Sequence, residues 1–389
     1  MPKLLMVTTI PETLESFLLP YALHFRQSGW QVDALAGGSF EPFPWRETHF
    51  HHTHQVTWSR SPLHAGNFLG TPGRIRQLVR REGYDIVHVH TPVAAFVTRM
   101  ALGSLPRAQR PRVVYTAHGF HFHPKGRPLR NAAFVTLEWL AGHFTDDLVV
   151  MSEADEAAAR AFGLVPRGHL HRMPGIGLDL QHYSAEPLPP AALVDARRGW
   201  GEGGRPYLLA VAEFIPRKRH ADLLTAFARL GPEWPQLQLA LAGRGALEAD
   251  LRAQVQALGL TDRVHFLGFR RDIPALLQGA AAVVLTSEQE GLPRCLLEAM
   301  SAGTPIVATR IRGVVDLLEG QLGLMYDVGD VNALEAALRD VLRDPAAAQA
   351  RAQAARAGML RYDVQHLIQL HEHLYASAPA TVRAGVRHA

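Results

Sequence analysis

The chain has a single cysteine, Cys295, in 389 residues. That excludes a disulfide framework and a zinc site built on several thiolates, and it fits a reducing compartment. Lysine is nearly missing too: only Lys3, Lys125 and Lys218 stand among 40 basic residues. No apolar run reaches the ~18 residues that a membrane-spanning helix needs. Residues 4–10 are apolar, but Pro11, Glu12 and Glu15 interrupt them with no small-residue cleavage site. They read as a buried first strand rather than a secretion signal. There is no strong charge of one sign, because 40 basic against 36 acidic residues leave +4. That is too mild a bias to argue for nucleic acid. No convincing metal-binding Asp-x-Asp occurs. Asp146-Asp147 leads into a strand, and Asp327-Val328-Gly329-Asp330 reads as a late turn.

What is present is ample apolar material, 47% of residues, which excludes disorder as the main theme. Charge and histidine are unevenly spread. Residues 1–199 hold 20 basic and 16 acidic residues, residues 200–389 hold 20 and 20, and the first part carries 15 of 21 histidines. Two domains with different partners follow. Short apolar runs alternate with helical spacing along most of the chain. Strands are expected at 4–8, 31–36, 86–90, 112–116 and 148–151. Helices are expected at 14–27 (stopping at Gly29), 75–81, 92–102 and 132–140. Residues 182–206 are rich in Pro, Gly and small polar residues and read as a linker. A second series follows, with strands at 207–211, 237–242, 264–267, 282–285 and 306–308. Its helices are expected at 221–230, 247–258, 274–278, 294–302, 333–342 and 346–374, before a frayed tail. This is the pattern of two doubly wound α/β domains facing a cleft. The division is 1–190, 205–365, and a C-terminal segment 366–389 crossing back to the first domain.

The most informative stretch runs from Ser287 to Met300. Glu290 and Glu298 are separated by seven residues, with Gly291 suited to a tight turn and Pro293 to a first helical turn. A helix start offers free N–H groups and a positive dipole end to an anion. Glu298 lies about one and a half turns on, roughly 8 Å at 1.5 Å per residue. That is about the distance from a diphosphate to a ribose.

This segment resembles the signature of family-4 retaining glycosyltransferases of the GT-B fold. The resemblance extends through Ala299-Met300-Ser301-Ala302-Gly303-Thr304-Pro305, Arg312-Gly313 and Asp316-Leu317-Leu318. His88-Val89-His90-Thr91-Pro92, Thr116-Ala117-His118-Gly119-Phe120, Leu241-Ala242-Gly243-Arg244-Gly245 and the stretch Phe266 to Ile273 also fit. Within the family the chain looks most like transferases that build exopolysaccharide or polyprenyl-linked glycans.

The resemblance implies roles. Glu298 would hold the ribose and Glu290 the donor hexose, with Gly291, Leu292 and Pro293 facing the sugar and diphosphate. Lys218, with Arg217 beside it, would bind the diphosphate and offset the leaving-group charge. Phe269 and Arg270 stand in the loop that binds the base through main-chain groups. His118 would point a neutral imidazole at the transferred sugar. Thr9, Ile10 and Pro11 form the loop after the first strand, near phosphates and acceptor. Two departures stand out: Glu213 replaces a common family arginine, and the loop at Thr9 lacks the family's glycines. The activity implied is transfer of a hexose from a nucleotide sugar, UDP-linked by subgroup. The product would be α-linked, and neither metal nor cofactor is required. The acceptor would be a glycan or a polyprenyl-diphosphate-linked sugar. Arg74, Arg76, Arg80 and Arg81 on one helix, with Arg107, Arg110 and Arg112 nearby in sequence, offer a basic face to an anionic bilayer. The expected location is the cytoplasm, at the inner face of the membrane.

Three rival readings remain open. His88, His90, His118, His121 and His123, or the group His49, His51, His52 and His54, could hold zinc in a metallohydrolase. The fold could serve a small cytosolic acceptor. Or it could be a binding protein without activity, against which Lys218, Glu290 and Glu298 argue.

Overall fold

The computed structural model describes residues 1–58, 70–122 and 126–377. They form two compact units: Met1–Gly177 joined by the segment from Val364 onward, and Leu178–Asp363.

In the first unit the strands are β1 (Lys3–Val7), β2 (Gln31–Gly37), β3 (His52–Val56), β4 (Ile86–His90), β5 (Arg112–Ala117), β6 (Asp147–Val150) and β7 (His169–Arg172). Its helices are α1 (Pro11–Phe17), α2 (Leu19–Gln27), α3 (Trp45–His49), α4 (Thr71–Glu82), α5 (Pro92–Gly103), α6 (Pro128–Gly142) and α7 (Glu153–Ala161). The sheet is parallel with order β3-β2-β1-β4-β5-β6-β7. All its strands therefore end on one edge, and the winding reverses between β1 and β4. Leu4, Leu5, Met6 and Val7 are all essentially buried, so β1 needs cover on both faces. Leu5 and Val7 join the core under α4 and α5, while Leu4 and Met6 join the core under α2.

The second unit opens with α8 (Pro190–Ala196). It continues with β8 (Tyr207–Val211), α9 (His220–Leu230), β9 (Gln238–Ala242), α10 (Glu248–Ala257), β10 (Val264–Gly268), α11 (Ile273–Gly279) and β11 (Ala282–Leu285). Then come α12 (Arg294–Ala302), β12 (Ile306–Thr309), α13 (Val314–Leu318), β13 (Leu324–Tyr326), α14 (Val331–Arg343) and α15 (Pro345–Ala357). Its parallel sheet is ordered β10-β9-β8-β11-β12-β13, reversing between β8 and β11. The last helix, α16 (Val364–Ala376), returns to the first unit. There it packs Leu367, Ile368, Leu374 and Tyr375 against Tyr21 and Phe25 of α2.

Several sequence expectations are corrected. The helix expected at 14–27 is two helices, because Pro20 cannot donate a backbone hydrogen bond and the chain breaks at Leu18. The linker expected at 182–206 is largely folded: α8 and the turns around it pack with the second unit, whose core takes in Leu178, Tyr183 and Ala196. The helix expected at 346–374 is interrupted after Gly358 by a short 3-10 turn, Met359–Tyr362. Strands β3 and β7 were not expected. They are the edges of the first sheet, pair on one side only, and carry histidines where an apolar period would betray a strand. The expected frayed tail lies largely outside the described residues, as does His123.

Candidate functional site

In a parallel α/β sheet, ligand-binding residues gather on the loops beyond the carboxyl ends of the strands, at the point where the winding reverses. In the second unit those loops follow β8 and β11. They are stitched together by backbone and side-chain bonds. The Glu288 amide donates to the Arg217 carbonyl at 2.8 Å, and the Thr286 hydroxyl donates to the Lys218 carbonyl at 2.6 Å. Lys218 ends a 3-10 turn, Pro216–Lys218. The next residue, Arg219, is held in the left-handed region at φ 49°. That strained conformation is compensated by ion pairs from Arg219 to Asp222 at 2.6 Å and to Glu288 at 2.8 Å.

The two loops bring the expected residues together. Lys218 Nζ lies 2.5 Å from Glu290 Oε1, both side chains being nearly buried, and Arg217 stands 3.6 Å from the second Glu290 oxygen. Arg217 also donates to the Gln289 carbonyl at 3.0 Å. Two cations and one carboxylate therefore converge at the reversal point. Glu213 is exposed on the same loop.

Gly291, Leu292 and Pro293 follow. Pro293 is the cap residue of α12 rather than a residue of its first turn. The turn is held at close quarters by Gly313, at φ +78°, where a Cβ would come 1.7 Å from the Gly291 carbonyl oxygen. Only glycine allows that approach.

Glu298 sits within α12, 6% exposed. It accepts from Arg294 Nε at 2.9 Å and from the Tyr183 hydroxyl. Burial pushes its carboxyl up, against the opposite pull of Arg294 and of the Tyr183 hydrogen bond. Cys295 beside it is pushed up to about 12 by burial, which keeps it a thiol. Tyr183 and Arg294 were not singled out from sequence. Arg294 lies four residues before Glu298 on a helix, a spacing that pairs opposite charges. Tyr183 lies in the segment read as linker, where no local pattern marks it.

On the loop after β10, Phe269 is 66% exposed. Arg270 is committed elsewhere: it grips Asp272 at 2.7 and 2.5 Å and the Ala196 carbonyl at 2.9 Å, anchoring α8. The Arg270 side chain is therefore not free to meet a ligand, while Phe269 and the loop backbone are exposed.

In the first unit the corresponding reversal lies between β1 and β4, and a pair of threonines closes it. The Thr9 amide donates to Thr91 Oγ1 at 2.9 Å, and the two hydroxyls lie 2.7 Å apart. Trp58 Nε1 donates to the Thr9 carbonyl at 2.7 Å. Ile10 caps α1 in an extended conformation and Pro11 begins it. Thr91 was quoted within a motif but given no role. Its φ of 64° marks it as strained.

His118 follows β5, half-buried, and shares a 3.2 Å hydrogen bond with His90. Burial pushes it down to about 4, so the imidazole is neutral at neutral pH. His88, adjacent on β4, lies between the Tyr375 hydroxyl at 2.6 Å and Thr116 Oγ1 at 2.7 Å. The other histidine group divides. His49 ends α3, the His51 ring accepts from the Val32 amide at 3.1 Å, and His52 and His54 flank the buried Asp33 at 3.4 and 3.7 Å. Among the described residues no three His, Cys, Asp or Glu side chains are grouped to hold a metal ion.

The basic residues behave differently from one another. Arg74, Arg80 and Arg81 are exposed on α4, and Arg76 reaches Ser104 at 3.2 Å. Arg112 does not join them. It is buried against Asp147 at 2.6 Å and donates to the Leu374 carbonyl at 2.7 Å, so it fixes α16.

Residues 195–358 match the family model described as glycosyl transferases group 1, and residues 14–179 match glycosyltransferase family 4. The chain is 30% identical over 379 residues to EpsD of Bacillus subtilis (strain 168), named as a glycosyltransferase, with 96% of each chain covered. It is 27% identical to the UDP-Gal:alpha-D-GlcNAc-diphosphoundecaprenol alpha-1,3-galactosyltransferase of Escherichia coli, with 69% of each covered. Among solved structures, HepE of Anabaena in complex with UDP and glucose superposes with a TM-score of 0.79 at 24% identity, covering 97% of this chain and 100% of that one. Two parallel sheets with this strand order, loops that bring Lys218 and Glu290 together at one reversal point with Glu298 on the helix that follows, and these matches across both units lead to one conclusion: the chain is a GT-B glycosyltransferase and belongs to glycosyltransferase family 4.

Proposed function

We propose that this enzyme moves a hexose from a UDP-sugar to a glycan or polyprenyl-diphosphate-linked sugar, with retention of configuration and without a metal. The observation that carries the reading is the meeting of Lys218, Arg217 and Glu290 at the reversal point of the second sheet, with Glu298 further along α12. A diphosphate placed at the α12 start would draw Lys218 away from Glu290, freeing the carboxylate for hexose hydroxyls. Glu298, already held by Arg294 and Tyr183, would accept from the ribose hydroxyls. The backbone beside Phe269 would meet the base.

In the reaction, the bond between the anomeric carbon and the β-phosphate oxygen breaks. The acceptor oxygen forms its bond to that carbon on the same face, and its proton passes to the departing phosphate. Charge on the leaving diphosphate is the main barrier. Lys218 and Arg217 oppose it with preorganised positive charge. A neutral His118 in the first unit would offer a sugar hydroxyl a hydrogen bond rather than a competing cation. Thr9, Ile10 and Pro11 would line the acceptor side of the first unit.

The donor is favoured as UDP-linked because the Escherichia coli relative is named for UDP-Gal and the Anabaena structure holds UDP. A lipid-linked acceptor is favoured by the same Escherichia coli name. The test is a transfer assay with labelled UDP-, GDP- and ADP-hexoses and undecaprenyl-diphosphate-linked sugar, with and without EDTA. Transfer from a UDP-sugar that survives EDTA, gives an α-linked product and is abolished in Lys218→Ala and Glu298→Ala is the expected result. Transfer only from a GDP- or ADP-sugar, or loss of transfer in EDTA restored by a divalent metal, would overturn it.

A further inference from the structure

Arg217, Lys218 and Arg219 of the second unit are each fastened to the loop after β11. The Arg217 carbonyl accepts from the Glu288 amide at 2.8 Å, and the Lys218 carbonyl accepts from the Thr286 hydroxyl at 2.6 Å. The Arg219 guanidinium completes the set, donating from Nη1 to Glu288 Oε1 at 2.8 Å. Glu288 thus holds the residue before Lys218 with its backbone and the residue after it with its side chain. Further along the same loop stands Glu290, the partner of Lys218 Nζ.

Arg219 reaches beyond this one bond. Its Nε donates to Asp222 Oδ2, in the first turn of α9, at 2.6 Å. Its Nη2 lies beneath Gly329, where a Cβ would come 3.2 Å from it. The loops after β8, β11 and β13 therefore meet at one planar guanidinium, whose fork holds two carboxylates at fixed angles. The backbone is strained in return. Arg219 adopts φ 49° and ψ 39° between the 3-10 turn and α9, a region that disfavours any residue with a Cβ. Glycine would adopt it freely.

Folding gains little from an arginine at this place. The Arg219 and Glu288 side chains are 30% and 48% exposed, and ion pairs so open to water add little stability. What the bonds do fix is the position of Lys218 relative to Glu290. A group that must meet developing charge loses about a hundredfold in rate when it is misplaced by about 1 Å.

We propose that Arg219 and Glu288 are positioning residues. Their ion pair locks the turn that carries Lys218 to the loop that carries Glu290, so that the ammonium stands preorganised for the departing diphosphate. The inference rests on the reading of Lys218 given above and adds the pair that holds it in place.

The experiment measures melting temperature, kcat and KM for transfer from whichever of the UDP-, GDP- and ADP-hexoses the wild type accepts. Arg219→Gly removes the strain together with the bridge. Its melting temperature should stay within about 3 °C of wild type, while kcat falls at least about tenfold and the acceptor KM is unchanged. Glu288→Gln is the sharper arm. It keeps the backbone bond to Arg217 and removes a negative charge beside an anion site, which by charge alone would favour the donor and speed transfer. A fall in kcat of about fivefold or more there reports lost geometry. Arg219→Lys supplies a point charge without the fork and should recover only part of the loss. The double variant, Arg219→Gly with Glu288→Gln, should be no slower than the slower single variant. With Lys218→Ala inactive, a kcat within about twofold of wild type in both single variants, or losses that multiply in the double variant, would overturn the proposal. Full transfer by Lys218→Ala would instead overturn the reading of Lys218 itself, and this inference with it.

Discussion

Acid should unfold the first unit before the second. His118 and His371 are both held at about 4 by burial, against about 6.5 for a free imidazole. His88 and His90, fully enclosed beside them, are pushed well below the ordinary value, by burial first and by neighbouring imidazoles second. Tyr21, Tyr375 and Thr116 surround the group, and among the described residues no carboxylate pairs with it. In each case the folded value is depressed, so the unfolded chain binds more protons between the two values. The stabilisation is complete above about pH 6.5 and declines as pH falls toward about 4. A tenfold change in proton affinity is about 1.4 kcal/mol, so a displacement from 6.5 to about 4 is roughly 3 kcal/mol for each of His118 and His371. Their titrations are coupled, which makes about 6 kcal/mol a ceiling for the two. That is comparable to the whole stability of an ordinary domain, about 5–15 kcal/mol. In the second unit His220 is the one buried histidine held so low, also at about 4, through burial and the Lys218 charge. Its loss amounts to roughly 3 kcal/mol. Calorimetry with proteolytic mapping between about pH 7.5 and 5 is the assay. Cleavage within the first unit should appear first, and His371→Gln should flatten the pH dependence. A melting temperature unmoved over that range, or cleavage beginning in the second unit, would refute the reasoning.

Arg112→Ala leaves Asp147 buried without its guanidinium and frees the carbonyls at the end of α16. It should cost about 3 kcal/mol, read as a lower urea midpoint and faster amide exchange in 364–376. Gly313→Ala places a methyl group on the Gly291 carbonyl. Nucleotide affinity measured by calorimetry should fall by about tenfold or more, with circular dichroism unchanged. Tyr183→Phe removes one hydrogen bond from Glu298. The nucleotide Kd should rise about five- to tenfold while the acceptor KM stays unchanged, and an unaltered Kd would remove Tyr183 from the site.

Most of the architecture was legible because each central strand is buried on both faces and therefore writes itself as an apolar run. The edge strands β3 and β7 were not legible, because a strand paired on one side and rich in histidine carries no such run. The break at Pro20 is plain in covalent terms but was hidden by an apolar period that continues through it.

The candidate site divides in the same way. Glu290, Glu298 and Lys218 were legible because a turn, a helix start and a scarce residue type mark them locally. The family itself followed from these residues and from the motifs quoted around them. The contact of Lys218 with Glu290 joins residues 72 positions apart, and only the adjacency of β8 and β11 creates it. Tyr183 reaches Glu298 because the segment after Leu178 folds onto the second unit, which composition alone read as a linker. Arg112 looked like surface charge until packing placed it against Asp147. Sequence records which residues are apolar, charged or conformationally free, and that sets strands, helices and turns. Which side of an element finds a neighbour depends on chain segments far away, and the tertiary structure alone decides it.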